Sequence, residues 1–217
     1  MKTFGRARRE LLARLVPDGT PWLVDVGADH GHVAHAVGAI ATERRPHRRG
    51  RGDVPWVVAD GLAPFRDVPV AIIAGMGALR ILGILDRAPK PACLIAHAPD
   101  DPPTLREGLA ERGWRIEAEA LAPEGNRWAE VVRARPGHEV ATGLPLAFGP
   151  RLLESGDDPY LLDHLDHTAR HYERIARDTL GKAPEVHAHA TERARFLRDA
   201  LSRLRAPRGA LVNPTPR

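Results

Sequence analysis

Residues 22–31, Trp22-Leu23-Val24-Asp25-Val26-Gly27-Ala28-Asp29-His30-Gly31, form a short apolar, β-branched run that ends in acids and glycines. A buried parallel strand reads this way as it enters a loop. Two later stretches end alike: residues 54–61 (VPWVVADG), closing on Asp60-Gly61, and 68–75 (VPVAIIAG), running into Gly75-Met76-Gly77. Strands alternating with helical stretches predict an α/β domain on a mostly parallel sheet. Ligands of such sheets sit at the carboxyl ends of the strands, where the strand order reverses. Three strand ends carrying Asp or Gly therefore predict one coherent site.

On the N-terminal side of this core, Leu11, Leu12 and Leu15 recur at helical spacing, and Pro17-Asp18-Gly19 stops that helix. On the C-terminal side, Val33 to Ile40 reads as the next helix; a continuous helix over 33–45 is the alternative reading. A strand is predicted at 92–96, a helix at 103–112, and further strands at 114–121 and 128–134. Trp22, Trp56, Trp114 and Trp128 lie in or beside strands, where core packing accounts for them.

From about Gly156 the pattern changes. Leu161, Leu162, Leu165, Tyr172, Ile175, Ala176 and Leu180 fall three and four apart, residues 181–184 interrupt, and Val186, Ala190, Ala194, Leu197, Leu201 and Leu204 resume. Two long antiparallel helices follow from that spacing. The expected organisation is an α/β domain over 1–155, a helical hairpin over 156–206 and a proline-rich, disordered tail over 207–217. His167 and His171 stand four apart, but no third ligand accompanies them; a solvated helix face is expected there, and no metal site.

Composition narrows the class. Of 217 residues, 28% are charged and 43% hydrophobic, the balance of a globular chain. No apolar run approaches the roughly 18 to 20 residues of a membrane-spanning helix. The N-terminus lacks a signal-peptide core, so a cytoplasmic protein without a membrane partner is the expectation, as is a monomer. The lone Cys93 excludes an internal disulfide. The net charge is only +4, yet Arg44, Arg45, Arg48, Arg49 and Arg51 crowd one stretch, which suggests an exposed loop able to meet a polyanion.

The loop after the first strand reads D-x-G-x-D-x-G, without the three-glycine spacing of a dinucleotide site. An acid before its first glycine and another at a later strand end suit a cofactor bearing an amino acid and a ribose but no phosphate, namely S-adenosylmethionine. The alternative is structural: an Asp-His pair in a turn can simply cap the next helix.

Taken together, these pieces resemble the bacterial tRNA adenine-22 N1-methyltransferase family. The correspondence runs in order through DVGADHG at 25–31, AIATE at 39–43, ADGL at 59–62 and IIAGMGALRILGIL at 72–85. It continues with Leu105-Arg106, Gly113-Trp114 and Phe148-Gly149-Pro150-Arg151-Leu152-Leu153. The resemblance implies a Rossmann-like class I methyltransferase sheet, a C-terminal helical hairpin that helps hold tRNA, and S-adenosylmethionine as cofactor. It further implies that Asp25, Gly27 and Asp29 line the methionine end and that Glu43 takes the ribose hydroxyls. Asp60 and Gly61 would face the adenine, and Gly75, Met76 and Gly77 would close the site where the target base meets the methyl group. Asp29 is the candidate for stabilising the cationic product ring, with His30 orienting it. The chain departs from the family in its short 43–54 segment, in His97-Ala98-Pro99 where Gln-Pro-Asn is usual, in Ala78 and in His32. A non-catalytic relative and a small-molecule methyltransferase are the competing readings.

Overall fold

The structure is a computed structural model describing residues 5–45 and 54–206. Arg48, Arg49 and Arg51 of the arginine-rich stretch, and the tail over 207–217, lie outside the described residues. The chain divides into two compact units, Met1–Asp158 and Pro159–Arg217.

The first unit is built on seven strands: β1 (Leu23–Val26), β2 (Ile40–Glu43), β3 (Trp56–Val58), β4 (Val70–Ala74), β5 (Cys93–His97), β6 (Trp114–Glu124) and β7 (Arg127–Pro136). Their order is β3-β2-β1-β4-β5-β7-β6. The first five are parallel, Asp25 standing beside Ala41 on one side and Ile72 on the other. Strand β7 runs antiparallel to both β5 and β6. The chain thus builds outward from β1 to β3, then returns to start again at β4 on β1's other side. That reversal is the switch point at which such sheets hold ligands.

Alternation along the strands explains the two-sided core. Val24, Val26, Ala71, Ile73, Leu94 and Ala96 join one cluster with Ile81, Leu82 and Leu85 of α3 (Ala78–Leu85) and Leu105 and Leu109 of α4 (Pro102–Glu111). The intervening Leu23, Val70, Ile72 and Ile95 face the other way, against Leu11, Leu12 and Leu15 at α1 (Arg6–Arg14) and Ala34 of α2 (His32–Val37).

The helix expected over 33–40 is shorter than its pattern, and the continuous helix over 33–45 does not form. Gly38, left-handed at φ 68°, closes α2, with its N–H and that of Ala39 both turned back to the Ala34 carbonyl. Strand β2 follows after a single residue and leaves Glu43 at its carboxyl end. Two short helices that the pattern did not announce, α5 (Gly143–Ala147) and α6 (Pro150–Ser155), complete the unit.

They are seated by buried charge. Arg106 is fully buried, donating to Glu119 at 2.6 Å and to the Ala147 carbonyl at 3.1 Å, and it pairs with Glu130 at 2.8 Å. Burial opposes its charge, but Glu119 and Glu130 together hold the guanidinium above its ordinary pKa. Arg151 donates to Glu139 at 2.8 Å and to the Ile116 carbonyl at 2.8 Å. The Leu105-Arg106 and Gly149-Pro150-Arg151 pieces are therefore structural clasps.

The second unit is a hairpin of α7 (Leu161–Thr179) and α8 (Pro184–Arg205). Asp166 pairs with Arg198, Tyr172 with Arg193 (2.8 Å) and the Ala176 carbonyl with His187 Nδ1 (2.8 Å), partners that climb α7 as they descend α8 and so establish the antiparallel register.

Candidate active site

Four parallel strands empty into one cavity of about 530 Å³. Its walls are Val26, Gly27 and Asp29 from the end of β1, Glu43 to Arg45 from β2, Ala59 to Gly61 after β3, and Ala74 to Met76 after β4. Arg80 and Ile84 of α3 complete it. Seven of the ten residues singled out in the sequence meet here: Gly27, Asp29, Glu43, Asp60, Gly61, Gly75 and Met76.

Local backbone chemistry explains the convergence. The N–H groups of Gly27 and Ala28 donate to the Thr42 carbonyl at 2.8 and 3.0 Å, lashing the β1 loop to β2. The Gly75 N–H reaches the His97 carbonyl at 3.0 Å, lashing the β4 loop to β5. Gly27 (φ 70°), Asp29 (φ 49°) and Gly31 (φ 73°) are all left-handed, so the β1 loop folds tightly enough to leave its floor open. A non-glycine residue held left-handed at a strand end is the sort of local strain that gathers at functional sites.

Three predicted residues lie outside the cavity wall. Asp25 stands behind it, 4% exposed, its Oδ2 accepting from the Ala34 N–H at 2.9 Å. Burial pushes this carboxyl up to about 7, against the pull of that hydrogen bond. His30 is largely exposed, with Nε2 3.6 Å from Asp29 Oδ2. Gly77 precedes α3, and a Cβ there would sit 2.7 Å from Asp100 Oδ2.

The structure also supplies residues that the sequence reading missed. Asp100 accepts from the Ala78 N–H at 3.1 Å and from its neighbour Asp101 at 2.9 Å, fixing the first turn of α3. The signal was an acid just past the β5 strand end. Arg80 adds a third guanidinium to those of Arg44 and Arg45, so cations balance the carboxylates of Asp29, Glu43 and Asp60. An amphipathic helix beginning beside a glycine loop gave no hint of that.

The departure at residues 97–99 falls away from the cavity. His97 is 1% exposed, its Nδ1 meeting the Glu130 carbonyl at 3.0 Å, and Ala98 is fully buried in the core. Burial holds the His97 imidazole below its ordinary pKa. Among the described residues no group of three or more side chains is arranged to hold a metal, and no helix is long and apolar enough to cross a membrane.

The sequence profile of the TrmK family, tRNA (adenine(22)-N(1))-methyltransferase, matches residues 48–204. No curated protein matches the chain by sequence. Among solved structures, Streptococcus pneumoniae Sp1610 superposes with a TM-score of 0.76 at 23% identity, over 89% of this chain and 98% of that one. Sp1610 has also been solved in complex with S-adenosyl-L-methionine. Bacillus subtilis M1A22 tRNA methyltransferase TrmK gives 0.72 at 20% identity, over 89% and 97%. Mycoplasma capricolum TrmK, solved with S-adenosyl-homocysteine, gives 0.73 at 15%, over 91% and 98%. The profile match begins beyond the β1 loop and β2.

Proposed function

Because the chain belongs to the tRNA (adenine(22)-N(1))-methyltransferase family, we propose that it transfers a methyl group from S-adenosylmethionine to N1 of adenine 22 in tRNA. The observation that supports this best is the cavity, where an acid from each of three neighbouring strand ends faces the switch point. Its lining fits the cofactor. Gly27 is left-handed at φ 70°, and a Cβ there would come 2.6 Å from the mobile end of the Met76 side chain, so bare backbone is what a ligand meets there.

Glu43, at the end of β2, takes both ribose hydroxyls, since a carboxylate offers two acceptor oxygens. Asp60 faces the amino group of the adenine, with Gly61 giving close backbone approach. Gly27 and Asp29 hold the methionine end, and Asp25 supports them from behind by fixing the start of α2. The bound cofactor supplies an electrophilic methyl group.

The chain's own task at the reacting end is modest. N1 of adenine is an unprotonated nucleophile at neutral pH, so the protein mainly aligns it, with Met76 and Gly77 closing the wall. Methylation leaves the ring cationic; the Asp29 carboxylate lowers the energy of that developing charge, and His30 orients it. Arg44 and Arg45 draw the RNA backbone toward the cavity mouth, and the hairpin helps hold the tRNA. The chain works as a monomer in the cytoplasm, where its substrate is found.

The test is transfer of labelled methyl to unmodified tRNA, with an adenine-22 replacement as control. N1-methyladenosine that vanishes with the replacement is expected. Absence of product from folded protein that still binds the cofactor would favour a catalytically silent relative, the reading that the short 43–54 segment recommends.

A further inference from the structure

Leu79 faces water where a helix of this kind ordinarily carries a polar side chain. It is 76% exposed, although Ala78, Ile81, Leu82, Ile84 and Leu85 of the same helix are buried. A lone exposed leucine needs no explanation in general. This one stands at a particular place: Met76, three residues before it, and Arg80, one after it, both line the cavity. The turn that carries it is also held. Asp100 grips the Ala78 N–H at 3.1 Å, Gly77 makes room for that carboxylate, and Ala78 is 1% exposed. An apolar side chain thus projects from a fixed turn beside the cavity.

Resting on the methyltransferase reading, we infer that Leu79 is the wedge that fills the RNA stack when the target adenine turns into the cavity. A base inside folded RNA presents its reacting edge only after unstacking, which is costly. An apolar side chain slipped between the neighbouring bases keeps the gap from closing. Arg80 on the same turn meets a backbone phosphate, which fixes how the wedge approaches. No covalent bond changes in this step; Leu79 is a positioning residue, acting through the geometry of the RNA.

The experiment uses tRNA carrying 2-aminopurine at position 22, whose fluorescence rises on unstacking, with the full chain and S-adenosylhomocysteine. The intact protein should raise the signal. Leu79→Ala should lose most of that rise and slow single-turnover methylation of ordinary tRNA about tenfold or more, with affinities for tRNA and cofactor within about threefold of the original. Leu79→Met should restore both readouts. An unchanged fluorescence rise and rate in Leu79→Ala overturns the wedge. A fall in cofactor affinity that matches the fall in rate also overturns it, because Leu79 would then be a prop for the cavity. An intact chain that methylates no adenine-22 tRNA removes the functional reading itself, and the wedge with it.

Discussion

A Cβ on Gly27 would lie 2.6 Å from the terminal methyl of Met76, so the loops after β1 and β4 touch across the switch point with space for hydrogen alone. Gly27→Ala meets two obstacles at once. The left-handed backbone at φ 70° costs an alanine about 1–2 kcal/mol, and Met76 must move into the cavity to clear the new methyl. Calorimetric titration should find S-adenosylmethionine bound at least about tenfold more weakly, with the fold retained. Unchanged affinity would remove Gly27 from the cofactor site.

Glu43→Gln keeps the shape of the β2 end but removes its charge. Loss of a charge-assisted pair of hydrogen bonds should weaken the cofactor by about ten- to a hundredfold. The melting temperature should barely move, because Glu43 is only partly buried and, among the described residues, its side chain holds the exposed Arg45 N–H. The two readings come from one titration and one thermal scan; a large drop in melting temperature with intact affinity would make Glu43 a structural residue.

Asp25 gives stability a pH slope of predictable sign. In the unfolded chain its carboxyl titrates near 3.8, whereas burial raises it to about 7 in the fold. Between those values the folded state keeps a proton that the unfolded state has released. The stability that Asp25 contributes is therefore complete below about pH 4 and lost as the pH climbs through 7. Asp25→Asn, whose amide oxygen can still accept from Ala34, should match the original protein at pH 4 and exceed it at pH 8. Urea midpoints at the two values decide it, and parallel slopes would count against the argument.

Arg106, fully buried, lies between two carboxylates. Arg106→Met should cost about 3–5 kcal/mol, since Glu119 and Glu130 are left uncompensated in the interior. A chemical denaturation curve shifted by less than half of that would mean the two glutamates find protons or water readily.

Arg44→Gln with Arg45→Gln should weaken tRNA binding, and the slope of log affinity against log salt should flatten by about 1 to 2. Retention of the original slope would place the phosphate contacts elsewhere.

Much of the fold was legible because its central strands are buried on both faces. Val70–Ala74 and Cys93–His97 read as continuous apolar runs, and their ends announce themselves with glycine or a polar residue. The boundary between α2 and β2 was harder. Ala34, Ala36, Ala39 and Ala41 look alike in either geometry, and only Gly38, a single residue, marks the change. Glu43 was legible as an acid, but its position depended on that boundary. Asp25 shows the reverse case: the residue type announced function, yet its carboxylate faces the backbone of α2. Asp100 and Arg106 escaped notice as partners because each acts on residues far away in sequence, Ala78 for the first and Glu119, Glu130 and Ala147 for the second. Pattern within a window cannot report such pairs.

One carboxylate, that of Asp100, holds the first turn of α3 through Ala78 and the N-cap residue of α4, Asp101, so the starts of the two helices are tied together. Residue 100 stays outside the cavity wall, yet its freedom to change over generations is set by the cavity. Asparagine can still present an oxygen to the Ala78 N–H; glutamate, one methylene longer, would have to push against the space that Gly77 keeps clear. Drift at residues 97 and 98 would be absorbed by the core and β7, whereas drift at Asp100 would be transmitted to Met76 and Leu79. Neighbours in sequence are in this way subject to different histories.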